Sequence, residues 1–448
     1  MPVNNGPWYK RLFRKLLKNL RWLKPGLGVK RWLIVILAGT TMLAVGLAFL
    51  LLDVYRTAPD TWWLPALSVI ALRFLPRLAR VLIFGAIGVG LVVWGYLGLN
   101  RTLLRPFVHD GEGVLEAVTA FSRKERGPRI VVIGGGTGLS TLLRGLKAYT
   151  NNLVAIVTVA DDGGSSGELR RSLGVLPPGD IRSCLTALSR DETLLSQLFQ
   201  YRFGSGSGLE GHSFGNLFIT AMAEITGSFE EAVVESGRVL AVVGKVLPST
   251  LQDVRLVAEL LISGQDKPMQ VKGESAITAA GGQIRRVWLE PNNPLAYPPT
   301  IQAILSADLI IVGPGSLYTS ILPDLLVPDL VDALRASKAL KFFICNVASE
   351  SGETEGYTCG DHVHTLESHL NGPIFDLVVC NRNYNATLPR GVMWIKPEDE
   401  SKRDYILYQA DLVSNEIPWR HDAEKLARTI MDLFEERTGP LTEREDVA

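Results

Sequence analysis

The stretch Arg129-Ile-Val-Val-Ile-Gly-Gly-Gly-Thr-Gly-Leu-Ser-Thr-Leu-Leu, residues 129–143, decides the fold of this chain. Its run of β-branched residues, Ile130 to Ile133, is typical of a strand buried in a parallel sheet, and leucines then recur at helical spacing. The glycines between strand and helix allow a sharp turn that leaves the first helical N–H groups free to bind phosphate. A plain turn without a ligand is the alternative. The residues of this predicted phosphate turn are Gly134, Gly135, Gly136, Thr137 and Gly138.

Strand-like apolar runs alternate with helical patterns in the rest of the chain. The clearest runs are residues 153–160, 309–312, 341–345 and 375–380. This alternation predicts an α/β domain with a parallel sheet and helices on both faces. The domain is expected to span residues 129–435, and a charged tail follows at 436–448.

Composition and charge narrow the classes of partner and compartment. Lys and Arg together number 46, as do Asp and Glu, so the net charge does not favour a nucleic-acid partner. The four cysteines lack the spacing of a zinc site, which predicts reduced and mostly buried thiols in a reducing compartment. They are Cys184, Cys345, Cys359 and Cys380.

The first 99 residues have the pattern of a membrane anchor. Residues 1–31 contain nine Lys or Arg and no acid, which predicts a basic amphipathic segment on an anionic membrane surface. Residues 32–52 and 81–99 are uncharged and long enough to cross a bilayer. We therefore predict a transmembrane hairpin, 32–99, in the inner or plasma membrane. The basic N-terminus favours a cytoplasmic placement of both ends, with a linker at 100–128 and the soluble domain in the cytoplasm.

Two adjacent carboxylates follow the second predicted strand, in Ala160-Asp-Asp-Gly-Gly-Ser-Ser-Gly. Ligands of open α/β sheets bind at the carboxyl ends of the strands. Asp161 and Asp162 could hold Mg²⁺, accept ribose hydroxyls or act as a catalytic base there, with Gly163 beside them. The alternative is an Asx turn followed by a helix cap.

Two further motifs carry polar residues at predicted helix starts. Asp180 is a good N-cap, and Arg182 in the following turn opposes the helix dipole unless an anion lies nearby. Arg182 is therefore a candidate phosphate ligand, or else a partner of a surface acid. His212 and Asn216 are four residues apart, on one face if the helix has begun, and both can recognise polar ligand edges.

A second strand, glycine turn and helix begins at Val312 and supplies Gly313, Gly315 and Ser316. Two phosphate-binding turns suit a nucleotide diphosphate. Near the end of the chain, Arg420 could reach a ligand, while Asp422 is expected to cap the last helix.

Seven motifs in one order resemble the YvcK-like gluconeogenesis factor family of the CofD-like superfamily, named for 2-phospho-L-lactate transferase. They are GGGTGLSTLLRGLK, ADDGGSSGELR, PPGDIR, GHSFGNL, LPST, GPGSLYTSILP and SGETEGYT, within residues 129–435. The resemblance implies a Rossmann-like three-layer fold that binds a nucleotide-containing ligand, a UDP-sugar. It also implies a role in cell shape and envelope metabolism on gluconeogenic carbon, without a settled reaction. It also implies ligand contacts at residues 134–138, Asp161, Asp162, His212, Asn216, Gly313, Gly315, Ser316 and Arg420. The hairpin and the segment 346–350, NVASE in place of an expected NLMTQ, depart from the family pattern.

Three hypotheses follow. The first is a membrane-tethered regulatory protein that binds a nucleotide sugar and acts on envelope-synthesis or regulatory proteins. The second is a transferase in which Asp161, Asp162 and Mg²⁺ move a phosphate-bearing group from a nucleotide donor. The third, an NAD-type dehydrogenase, is disfavoured because Asp161 lies in a double-Asp loop instead of alone at a strand end. Homo-oligomerisation is compatible with each of them.

Overall fold

The structure, a computed structural model, describes residues 124–439 apart from 191–193, 205, 207, 263–266 and 401–402, together with isolated residues between 40 and 94. The predicted basic segment, most of the hairpin and linker, and the tail beyond residue 439 lie outside the described residues. Residues 86–90 and 92–94 of the second predicted span are helical. Among the described residues, no helix is both long enough and apolar enough to cross a membrane.

The chain divides into two compact units, Met1–Ser122 and Arg123–Ala448. The second unit begins before the predicted boundary at residue 129 because the end of the linker packs into it. The Lys124 carbonyl accepts hydrogen bonds from the N–H groups of Gly127 (3.2 Å) and Asn151 (3.0 Å). The hydroxyl of Thr150 donates to the Pro128 carbonyl at 2.9 Å.

A seven-stranded parallel sheet forms the centre of the second unit, in the order β10-β9-β8-β7-β1-β2-β3. Its strands are β1 (Ile130–Gly134), β2 (Leu153–Val157), β3 (Lys245–Pro248), β7 (Leu309–Val312), β8 (Leu340–Ile344), β9 (Leu377–Asn381) and β10 (Leu407–Ala410). Every residue of β1, β7 and β9 is buried. Because successive side chains point to opposite faces, both faces of the sheet are covered, which confirms the predicted three-layer α/β architecture.

Helices connect the strands. Within the described part of the unit they are α1 (Gly136–Leu146), α2 (Gly164–Leu173), α3 (Gly179–Leu188), α4 (Leu194–Gln200), α5 (Phe214–Thr226), α6 (Phe229–Val239), α7 (Glu274–Ala280), α8 (Pro298–Ser306), α9 (Leu322–Leu325), α10 (Pro328–Ala336), α11 (Cys359–Leu370) and α12 (Ala423–Thr438). A π-helical turn, Leu317–Ile321, precedes α9. Asp422 caps α12 as predicted, accepting from the N–H groups of Glu424 and Lys425. The last helix runs three residues past the predicted domain end at 435.

The strand order reverses between β1 and β7. From β1 the chain proceeds through β2 to β3 on one side, then returns to β7 on the other side of β1 and continues outward to β10. Such a reversal opens a crevice at the carboxyl ends of the two central strands, where ligands of open α/β sheets bind. Both glycine turns of the sequence lie at this crevice.

A second, antiparallel sheet was not identified from the sequence. It consists of β5 (Met269–Lys272), β4 (Arg255–Leu261) and β6 (Gln283–Glu290), in that order, and α7 packs against it. The short strand β5 is largely exposed, so its residues carry little hydrophobic periodicity. This small sheet matters for function because α7 reaches the double-Asp loop.

One strand boundary differs from its prediction. The predicted strand 153–160 ends as β2 at Val157, whose partner in the ladder is Pro248, and the last bond of the pairing runs from the Ser249 N–H to the Val157 carbonyl at 2.9 Å. Residues 158–163 then form the loop that contains the two aspartates. All four cysteines are free and buried, as expected.

Candidate functional site

The turn between β1 and α1 has the geometry that its glycines predict. Gly134 and Gly136 have φ of 148° and 67°, a region that side chains disfavour. Gly135 is the N-cap residue of α1 and, having no side chain, makes no cap hydrogen bond. The N–H groups at the start of α1 therefore point toward a cleft of about 330 Å³.

Three helix N-termini converge on this cleft. The residues that line it are Gly136, Thr137, Asp161, Gly163, Gly164, Ser165, Ser166, Gly179, Asp180, Arg182, Ser183, Arg202 and Asn216. They include the first turns of α1, α2 and α3, whose N-cap residues Gly135, Gly163 and Pro178 make no side-chain cap hydrogen bond. Its volume lies at the lower end of the range of small-molecule sites, roughly 300–1,000 Å³.

The two aspartates of the double-Asp loop have different environments. Asp161 lines the cleft, and its Oδ1 accepts from the Gly163 N–H at 2.8 Å. Asp162 instead accepts from the N–H of Ser275 in α7 at 2.9 Å. The structure thus contains an Asx turn at Asp161, which the sequence analysis gave as the alternative to a ligand site. Of the two aspartates, Asp161 lines the cleft and Asp162 does not.

The sequence predicted Asp180 as the N-cap of α3, and this prediction is wrong. The helix begins at Gly179 with Pro178 as its N-cap residue, and Asp180 lies in the first turn. Its carboxylate is directed toward the backbone N–H of Gly136 instead. Burial and the neighbouring Asp161 raise the pKa of Asp180 to about 6, against the lowering effects of that N–H and of Arg182.

Two arginines line the same cleft. Within the described part of the chain, Nε of Arg182 is buried and has no hydrogen-bond partner. Burial and the positive charge of Arg202 lower the pKa of Arg182, while Asp180 and Asp161 raise it. Arg202 was missed by the sequence analysis, although it lies two residues before a Gly/Ser-rich segment, 204–208, that leads to His212.

His212 and Asn216 meet at one serine of the α2 N-terminus. Ser165 Oγ lies 3.0 Å from His212 Nδ1 and accepts from Asn216 Nδ2 at 3.1 Å. Helix α5 begins at Phe214, so His212 precedes it, and the predicted common helix face is wrong. Asn216 lines the cleft, and its Oδ1 is buried with no hydrogen-bond partner among the described residues.

Glu274, the first residue of α7, is a third carboxyl group that the sequence did not single out. It is hydrogen-bonded to Asp161. Burial, followed by the charges of Asp161, Asp180 and Asp162, raises the pKa of Glu274 to about 9. The raised pKa favours the protonated form of Glu274, which can donate a hydrogen bond to Asp161. Only the tertiary contact between the small sheet and the double-Asp loop brings them together.

The second glycine turn makes its polar contacts within the protein. Gly315 donates its N–H to Asn346 Oδ1 at 3.1 Å, and Asn346 Nδ2 donates to the Gly315 carbonyl at 2.8 Å. Ser316 donates to the buried carboxylate of Glu353. Asn346 opens the NVASE segment that departs from the family pattern. Gly313, Gly315 and Ser316 are not among the residues that line the cleft described above.

Arg420 is exposed in the turn before α12, where its N–H donates to the Ile417 carbonyl at 2.9 Å. It also lies outside the cleft lining. Its ligand contact, like those assigned to the second glycine turn, remains a prediction.

The carboxyl groups beside the cleft do not form a compact group of metal ligands. Asp161, Asp180 and Glu274 offer carboxylate oxygens, the ligands that Mg²⁺ prefers, but within the described residues they are not a group whose ligand atoms all lie within 4.8 Å of one another. The Mg²⁺ role of Asp161 and Asp162 remains a prediction, and Asp162 accepts a hydrogen bond from α7. Among the described residues, three possible metal ligands lie within 4.8 Å of one another at His364, Glu367 and Asp404, on the surface around α11.

Comparisons with known proteins agree with this architecture. Residues 130–437 match the family described as 2-phospho-L-lactate transferase CofD. A relative from Nostoc sp. is 49% identical over 373 residues, which cover 81% of this chain and 78% of its own length. The Bacillus subtilis protein named gluconeogenesis factor is 46% identical, over 69% of this chain and 99% of its own. A crystal structure of a UPF0052-family protein from Bacillus halodurans superposes with a TM-score of 0.63 at 40% identity, covering 68% of this chain and 99% of that one.

The family match includes both glycine turns, the double-Asp loop and α12, so it extends over the whole of the parallel sheet. The resemblance drawn from the seven motifs is thereby confirmed. This chain belongs to the CofD family, within the group of gluconeogenesis factors.

Proposed function

We propose that the cleft binds the diphosphate of a nucleotide sugar, a UDP-sugar, and that the protein is a regulatory gluconeogenesis factor. The observation that carries the proposal is the convergence on one cleft of three helix N-termini whose N-cap residues form no side-chain cap, in a cleft that also contains Arg182. Free backbone N–H groups and helix dipoles favour phosphate, and a guanidinium group adds a charge-assisted hydrogen bond.

The choice of a nucleotide sugar is supported by the family. The Bacillus subtilis relative is named gluconeogenesis factor, and the resemblance implies a UDP-sugar ligand with a role in cell shape and envelope metabolism on gluconeogenic carbon. On this proposal, ligand occupancy alters contacts with envelope-synthesis or regulatory proteins. The predicted hairpin, residues 32–52 and 81–99, would hold the domain at the cytoplasmic face of the membrane.

The roles of the two candidate phosphate-binding arginines can be separated by substitution. Arg182→Ala is expected to weaken binding of UDP-glucose by at least roughly tenfold in titration calorimetry, because one charge-assisted bond typically contributes about 1.5–3 kcal/mol. Arg420→Ala should have a similar effect if the contact implied by the family exists. Arg238→Ala, an exposed substitution on α6, is the control. Unchanged affinity in either test variant, with the circular dichroism spectrum preserved, removes that arginine from the site.

A Mg²⁺-dependent transferase is the second candidate, and the carboxyl pair of Asp161 and Glu274 favours it. Mg²⁺ would be held by Asp161 and Asp180 and would supply charge stabilisation for a diphosphate. Asp161 can accept the proton of an acceptor hydroxyl group. The oxygen of that hydroxyl group then bonds to phosphorus, and the bond from phosphorus to the departing nucleotide breaks. The N-termini of α1 and α2 would hold the phosphate oxygens throughout.

Product analysis distinguishes the regulator from the transferase. A UDP-sugar incubated with the protein, Mg²⁺ and acceptors such as phospholactate should be recovered unchanged, and Asp161→Asn should alter affinity alone. Release of UMP or UDP that Asp161→Asn abolishes while binding persists would overturn the regulatory proposal and establish the transferase. Asp162→Asn is the matched control, since its carboxylate bonds to α7.

A further inference from the structure

The Arg182 and Arg202 side chains come from different elements but are oriented by one segment of the chain. The stem of Arg182 packs on Gly215 at the start of α5, where a Cβ atom would lie only 2.8 Å from its Cγ and Cδ. This contact leaves little freedom for the methylene groups. The guanidinium group is thus directed into the cleft before any ligand arrives.

Arg202 is held by a short antiparallel pairing just before α5. Arg202 and Ser213 form a β-bridge, the Phe214 N–H donates to the Tyr201 carbonyl at 2.8 Å, and Nη1 of Arg202 donates to the Gly211 carbonyl at 3.0 Å. The hydrogen bond to Gly211 uses one of the five N–H groups of the guanidinium. The remaining donors are available at the cleft that both arginines line.

The charges in the cleft are unevenly distributed. Asp161, Asp180 and Glu274 lie around the double-Asp loop and attract cations or hydroxyl groups, whereas the two guanidinium groups repel each other. Asp180 and Asp161 offset part of the charge of Arg182. Nε of Arg182 still has no partner within the described chain, and burying such a donor is costly unless a ligand or water completes it.

We infer that Arg182 and Arg202 form a subsite for a dianionic phosphomonoester beside the N-termini of α1 and α2, with Arg182 shared between this phosphate and the proposed diphosphate site. Two planar guanidinium groups match the oxygens of one terminal phosphate, and a dianion relieves their mutual repulsion better than a singly charged diester phosphate does. The ligand class is a molecule, or a second ligand beside the nucleotide, that ends in a free phosphate group. This inference deepens the proposed function, since the subsite lies in the same cleft.

Titration of the purified full-length protein with inorganic phosphate tests the subsite. Binding should be tighter at pH 7.5 than at pH 5.5, because a much larger share of inorganic phosphate is doubly charged at pH 7.5, whereas the singly charged form dominates at pH 5.5. Arg202→Ala should weaken phosphate binding at least tenfold and remove this preference for high pH. Arg202→Lys should recover the preference in part, while Arg238→Ala on α6 should bind as the wild type does. Arg202 is exposed, so these variants are expected to fold.

Equal phosphate affinity in the wild type and Arg202→Ala, or no phosphate binding at all, would overturn the subsite. Titration of the same proteins with UDP-glucose separates this outcome from failure of the proposed function. If UDP-glucose binds and phosphate does not, the subsite is wrong and the nucleotide-sugar proposal stands. If phosphate binds through Arg202 and no nucleotide binds, the subsite stands and the nucleotide-sugar proposal is wrong.

Discussion

Gly138→Ala is expected to destabilise the domain and to weaken nucleotide-sugar binding at least tenfold. A Cβ atom at position 138 would lie 2.5 Å from the carbonyl oxygen of Pro314 and 3.0 Å from the nitrogen of Gly315. Both neighbours are backbone atoms of the second glycine turn, which its bonds with Asn346 hold in place. Overpacking of this kind typically costs about 1–3 kcal/mol, and relief requires the N-terminus of α1 to move away from the cleft.

Thermal unfolding and calorimetric titration of the Gly138 variant measure both effects. Gly237→Ala is the matched control, because a Cβ there would make ordinary contact at 3.5 Å with Leu185 on α3. Alanine also favours a helix more than glycine does, so the control should unfold at the wild-type temperature or above it. Wild-type stability and affinity in Gly138→Ala would show that the close approach of the two turns has no role in binding.

Glu274→Gln is expected to remove much of the loss of stability with rising pH. The pKa of Glu274 is raised to about 9 in the folded protein, while an unfolded glutamate titrates near 4.3. Between these values the folded state keeps a proton that the unfolded state releases, so the free energy of unfolding falls by up to about 1.4 kcal/mol per pH unit. From pH 5 to pH 8 the contribution of this group is therefore a decline of up to about 4 kcal/mol.

Urea unfolding at pH 5 and pH 8 checks this result. The pKa of Asp180 is raised to about 6, and the pKa of Asp324 is raised as well. These two groups therefore also make the wild type less stable as the pH rises. The difference in slope between the wild type and Glu274→Gln isolates Glu274. The variant should be more stable than the wild type at pH 8 and nearly equal to it at pH 5. The exposed variant Glu224→Gln is the control. If the free energy of unfolding changes with pH equally in the wild type, Glu274→Gln and this control, Glu274 does not retain a proton in the folded protein.

Local signals in the sequence were sufficient to predict β1, the glycine turn after it and α1. The β-branched run of β1, the glycines after it and the leucines of α1 follow from propensity and periodicity, and each appears in the structure. The cap at Asp422 was also predictable, because its side chain bonds to N–H groups two and three residues away. Interactions of this range depend on neighbouring residues and are therefore encoded locally.

The contacts that complete the cleft could not be predicted in this way. Glu274 lies 113 residues from Asp161 in the chain, and only the packing of α7 against the double-Asp loop brings the two carboxyl groups together. Asp180 had the right position for a helix cap, yet a tertiary contact with the phosphate turn directs its carboxylate elsewhere. The second glycine turn resembles the first in sequence, but Asn346 and Glu353 bind its polar groups. Local sequence does not record such long-range partners.

A structure of the protein with a bound UDP-sugar tests the central claim most directly. The diphosphate should lie within hydrogen-bonding distance of backbone N–H groups at the first turns of α1 and α2, with the Arg182 guanidinium group on a phosphate oxygen. Density for the nucleotide at any other place on the domain, or no binding at millimolar ligand, would contradict the assignment of this cleft as the phosphate site.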